Sequence, residues 1–92
     1  MDIGMLWFDN DRKSSLPHKV TRAVRYYQQK FGRDPDLCFT HPRMVSRAQD
    51  QILRDGRRPN GKPLMVEGVR VVENDQVLPG HFWIGVSPEQ DP

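Results

Sequence analysis

Residues 16 to 31, LPHKVTRAVRYYQQKF, limit the possible folds more than any other stretch of this chain. Leu16, Val20, Ala23, Val24, Tyr27 and Phe31 recur at helical spacing and make one apolar stripe. The flanking residues agree with a helix. Ser14 or Ser15 can cap its start, and Pro17 sits in the first turn, where a missing N–H costs little. Gly32 suits the left-handed residue past its end, and Pro35 prevents resumption. One helix cannot bury its own stripe, so the rest of the chain must supply an apolar layer.

Short apolar runs supply it. Residues 3 to 9, IGMLWFD, read as a mostly buried strand, and LCFT (37 to 40) as a second. His41-Pro42 then breaks the chain into a second helix, over about 43 to 54, with Val45, Ala48 and Ile52 inward and an Asp50/Arg54 pair outward. DGRRPNGKP is an exposed loop. LMVEGVRVV (64 to 72) alternates around Gly68, as one strand with a bulge or two short ones. After the ENDQVLPG turn, HFWIGV (81 to 86) is a final buried strand. Phe82 and Ile84 face one side of it, and His81, Trp83 and Gly85 the other.

The order β-α-β-α-β-β predicts an α/β or α+β fold, a single small domain with a short mixed sheet and two helices packed on it. The domain spans 1–86, and 87–92 form a loose tail. The first β-α-β is expected as a right-handed parallel crossover. The last two strands, close in sequence, are expected to pair antiparallel.

Composition fits this size. Ninety-two residues hold one core, and a hydrophobic share of 36% leaves much of the chain to surface and loop. Two Trp, two Tyr and four Phe supply the large side chains that a small core needs. The single Cys38 excludes an internal disulfide and a cysteine-based zinc site, and is expected to be buried and inert. No apolar run approaches the ~20 residues of a membrane span, and Asp2 stands where a leader would carry positive charge. A cytoplasmic protein without a membrane partner is the expectation.

Charge is distributed unevenly although the net value is only +2. From residue 12 to residue 33 there are seven basic residues (Arg12, Lys13, Lys19, Arg22, Arg25, Lys30 and Arg33) and no acidic one. His18, Arg22, Arg25 and Gln29 lie along one line of the helix, flanked by Lys19, Tyr26 and Lys30. Cations about one turn apart can track a phosphate backbone and gain affinity from counterion release. Tyr26, with Tyr27 at the edge, can stack on an unpaired base. The competing reading is a solvated face whose charges meet Asp34, Asp36 or Glu67 in space. Nothing indicates sequence-specific recognition, since no zinc finger, basic zipper or RNA-recognition signature is present.

LWFDND, residues 6 to 11, raises a second possibility. Phe8-Asp9-Asn10-Asp11 resembles the first motif of haloacid-dehalogenase-type phosphatases, in which a hydrophobic strand delivers Asp-x-Asp. The resemblance implies Asp9 as nucleophile and Asp11 as acid/base, with Mg²⁺ as cofactor. It covers about six residues. Arg12-Lys13 replace the Gly-Thr that usually follows, and no second acidic cluster stands at a strand end. Asp9, Asn10 and Asp11 equally suit a polar turn leading to a helix cap. A metal set of Asp9, Asp11 and His18 or His41 matches no specific ligand spacing. His41 and His81 suit strand ends, and no nucleophilic triad, Walker loop or HExxH occurs.

Residues 37 to 86 resemble the peripheral-domain segment of tailed-phage major capsid proteins and encapsulins. LCFTHP, the loop into GRRPNGKPLM, EGVRVVEND and LPG carry the likeness. It covers about half the chain, includes neither the N-terminal arm nor the long spine helix, and implies an α+β fold. LWFDND with VLPGHFWIGV is similar to a group of small uncharacterised bacterial proteins, a likeness that brings no mechanism with it.

The leading expectation is a small non-enzymatic binding module without a cofactor. It would contact nucleic acid, or an acidic protein surface, through the basic face of helix 16–31, with His18, Lys19, Arg22, Arg25, Tyr26, Lys30 and Arg33. The alternatives are a protein-interaction or assembly module of phage or mobile-element origin and a metal-dependent phosphohydrolase using Asp9 and Asp11. Exposure of Trp7 and Trp83 would favour the protein-binding alternative.

Overall fold

The computed structural model describes residues 4–45 and 64–87. Strand β1 (Gly4–Phe8) leads to helix α1 (Leu16–Phe31) and strand β2 (Leu37–Thr40). A second helix opens at Pro42 and is described over 42–45. Then come β3 (Leu64–Val66), β4 (Val69–Glu73) and β5 (His81–Gly85). The fold is α+β: a mixed five-stranded sheet in the order β1-β5-β2-β4-β3, with helices packed on it.

Helix α1 is built as its sequence demands. Ser15 is the N-cap, its Oγ accepting from His18 N–H at 3.3 Å. Gly32 closes the helix at φ 67, its N–H donating to the Gln28 carbonyl at 2.8 Å. Five of the six stripe residues are buried; the sixth, Phe31, stays exposed and packs its ring on Tyr27 at 4.6 Å. Tyr27 itself is 0% exposed, so it is core and has no free face for stacking on a base. The second helix starts from His41, whose Nδ1 accepts from Arg43 N–H at 3.0 Å. Met44 and Val45 join the core. The expected inward Ala48 and Ile52, the Asp50/Arg54 pair and the loop through residue 63 lie outside the described residues.

The segment 64 to 72 forms two strands rather than one bulged strand. Glu67 (φ 52) and Gly68 (φ 76) make a two-residue turn with both φ positive, and β3 folds back antiparallel on β4.

One expectation about the sheet needs correcting. The last two strands, β4 and β5, do not pair, because β2 lies between them. β5 instead fits antiparallel between β1 and β2, pairing Met5 with Ile84 and Cys38 with Ile84. The first crossover is therefore parallel but split: β1 and β2 run in one direction with β5 inserted, and β2 finds its parallel neighbour in β4. This arrangement pairs both edges of the apolar β5 inside the sheet.

Along β1 and β5 the side chains alternate between two unlike faces. Met5, Ile84, Cys38, Val71 and Leu64 form one row across all five strands, beneath α1. Leu6, Trp83, Phe39 and Val72 form the adjacent row on the opposite face. That face is open: Leu6 is 59% and Phe8 55% exposed, so β1 is half buried rather than mostly buried. The expected tail begins with an anchored residue, since Ser87 N–H and Oγ–H both donate to the Asp36 carboxylate, at 2.7 and 2.8 Å.

Candidate nucleic-acid interface and the polar end of the sheet

Both carboxylates of the Asp-x-Asp segment are occupied. Asp9 is fixed by its own N–H, which donates to the Gly80 carbonyl at 2.8 Å. Its Oδ1 accepts from Asp11 N–H at 3.2 Å, and its Oδ2 takes Arg22 Nη2 at 2.7 Å and Nε at 3.0 Å. Asp11 Oδ1 accepts from Lys13 N–H at 2.9 Å, and Oδ2 from the Ser14 hydroxyl at 2.7 Å. These are successive Asx turns that bring the chain from strand to helix cap. The Ser14 and Lys13 hydrogen bonds hold the Asp11 carboxyl below its usual value. Among the described residues no cluster of three His, Cys, Asp or Glu side chains is placed to hold a metal ion.

Gly80 reaches Asp9 through a turn formed by Leu78-Pro79-Gly80-His81. His81 N–H donates to the Leu78 carbonyl at 3.0 Å and Gly80 has φ 81, as a type II turn requires of its third residue. His81 is held at the strand end: Nδ1 donates to the Pro79 carbonyl at 3.2 Å, and the ring packs on Phe8 at 4.7 Å.

The basic residues of α1 divide into three groups. His18, Arg25, Lys30 and, just past the helix, Arg33 are exposed, and Lys30 Nζ lies 5.5 Å from the Phe31 ring. Arg22 is on the same exposed line but is ion-paired to Asp9. The expected carboxylate partners serve elsewhere: Asp34 accepts from Gln28, and Asp36 holds Ser87. Lys19 is the exception, a buried residue at 6% exposure. It follows Leu16 by three residues and precedes Ala23 by four, which puts it on the apolar stripe; that spacing was the available signal. Tyr26 is 48% exposed and packs against Trp7, 5.0 Å between ring centres.

Lys19 lines a cavity of about 250 Å³ at the polar end of the sheet. Arg12, Ser14, Ser15, Asn10 and Arg43 share its wall, with the Pro79-Gly80 turn. Sequence reasoning found the two serines as caps and Arg12 as part of a basic run. It did not find the convergence with Arg43, because only the fold brings the second helix to the start of the first.

The Cys38 thiol is buried, and loss of solvent pushes it up to about 12. Such a thiol is not a nucleophile near neutral pH. No helix among the described residues is long and apolar enough to cross a membrane. No protein-family model, curated protein or solved structure matches the chain.

Proposed function

We propose that this chain is a small non-enzymatic binding module that meets the phosphate backbone of nucleic acid with the exposed face of α1. The carrying observation is a helix with exposed His18, Arg25 and Lys30 and no acidic residue in its first turn. Among the described residues Asp9 is the one carboxylate ion-paired to that helix. Arg33 extends the row past the C-cap, and half-exposed Tyr26 offers a ring edge for an unpaired base. Arg22 contributes less than its neighbours, because Asp9 already neutralises it.

An amide NMR titration with a short mixed-sequence single-stranded oligonucleotide, at low and then moderate salt, tests this reading. Shifts should concentrate on exposed α1 residues and shrink with salt, each phosphate contact adding roughly 0.7 to the logarithmic salt slope. The double charge reversal Arg25→Glu/Lys30→Glu should abolish binding while the fold survives. Unchanged affinity in that variant would remove the proposal. Arg22→Glu is a poor choice, since it sets two carboxylates together at Asp9.

The open face of the sheet favours a second reading, a protein-interaction or assembly module. Leu6 and Leu78 are 59% and 67% exposed beside Trp83, next to a shallow apolar groove. A solution mass well above 10.7 kDa in light scattering would support self-association, and a strict monomer would count against it.

A further inference from the structure

We propose that the cavity at the start of α1 is a binding site for a phosphoryl group. It is distinct from the exposed helix face, because its central cation, Lys19, is withdrawn from that face. Three cations converge there from three elements: Arg12 from the turn after β1, Lys19 from α1 and Arg43 from the second helix. None of the described residues lining the cavity is a carboxylate.

Lys19 gives the strongest indication. It is 6% exposed, and its side chain has no hydrogen bond or ion pair with any described residue. Its ammonium keeps contact with solvent, since among the described residues the side-chain polar atoms sealed off without a partner are Trp7 Nε1 and Thr40 Oγ1. The stem is packed in the core, and the charged end has the cavity to open into. That end has no ion-pair partner among the described residues, which leaves it available to an anion in the cavity.

The helix terminus adds donors. Ser15 Oγ accepts from His18 N–H, which leaves its own proton free to donate outward. The first turn has no acidic side chain to compensate the positive end of the helix. Asp11 is near enough for Lys19 to act on it, but it is fully exposed and its oxygens are held by Lys13 N–H and the Ser14 hydroxyl. At about 250 Å³ the space falls below ordinary drug-sized pockets, which begin at roughly 300 Å³. It suits a phosphoryl group with a small part of the molecule that carries it. The group can belong to a small phosphorylated metabolite or to the 5′ end of a nucleic-acid strand; the recognition chemistry is the same.

Inorganic phosphate is the first probe, followed by one oligonucleotide with and without a 5′-phosphate. Phosphate should shift the amides of Ser15, Lys19, Arg43 and Gly80. Lys19→Met, which keeps most of the buried stem, should weaken binding about tenfold or more, as loss of a charge-assisted contact does. Arg43→Gln, at an exposed position, should weaken it severalfold and covers the case in which Lys19→Met does not fold. Arg25→Glu/Lys30→Glu should leave phosphate binding intact, which separates this site from the helix face. A gain from the 5′-phosphate assigns the group to a strand end; equal affinities for the two oligonucleotides, with inorganic phosphate still bound, assign it to a small ligand. Phosphate shifts scattered over the chain, or unchanged by Lys19→Met and Arg43→Gln, would overturn the proposal.

Discussion

Both faces of the sheet carry large apolar residues, but they differ in burial. Under α1, Phe82, Ile84 and Cys38 are completely enclosed. On the opposite face, Leu6 and Phe8 of β1 are more than half exposed. Trp83 is half buried on the open face because it lies flat over Gly4: a Cβ there would come within 2.6 Å of the indole. A glycine on the edge strand thus gives the tryptophan a surface on the face that α1 does not cover. α1 covers the row that holds Met5, Ile84 and Cys38, and the other face keeps Leu6 and Phe8 in contact with water.

The largest test of this contrast is a pair of truncations. Phe82→Ala should cost about 3–5 kcal/mol in urea denaturation, a large part of the stability of a small domain. Leu6→Ala, one row away, should change stability by less than ~0.5 kcal/mol. Similar costs would mean that the open face is covered in solution. Gly4→Ala comes next. The added methyl must push the Trp83 ring aside, at about 1–3 kcal/mol, with a change in tryptophan emission. Unaltered stability and emission would show that the ring does not rest on Gly4.

The smallest effect belongs to the rim, outside both faces. Asp11 has a folded-state value lowered from the usual 3.8, so its stabilising contribution is present above that value and is lost as pH falls through the folded one. Asp11→Asn should match the parent in strong acid and be slightly less stable near neutral pH. A difference that grew on acidification would reverse the assignment.

What the sequence disclosed was local. The α1 boundaries follow from Ser15 and Gly32, each of which performs its capping chemistry within a few residues. The alternation in HFWIGV placed Phe82 and Ile84 opposite Trp83 correctly. IGMLWFD misled because an unbroken apolar run looks the same whether one face or both are covered. The pairing of β4 with β2 was hidden for a different reason. Short sequence separation favours a hairpin between β4 and β5, but β5 gains two pairing partners by entering between β1 and β2. The Arg22–Asp9 pair and the convergence of Arg12, Lys19 and Arg43 depend on that same long-range arrangement, so no local pattern announced them.

The position of β5 also bears on how the chain acquires its structure during synthesis. Gly4 must wait for Gly85, and Leu37 for the same residue, before either strand has its neighbour. Until residues 81–85 leave the ribosome, β1 and β2 have a gap between them and the stripe of α1 has only part of its floor. Loop closure over such separations slows folding, and strands left with open edges are prone to pair with other chains in the meantime. A ribosome stalled before residue 81 should therefore hold a nascent chain that a protease cuts readily, and protection should rise sharply once the last strand emerges.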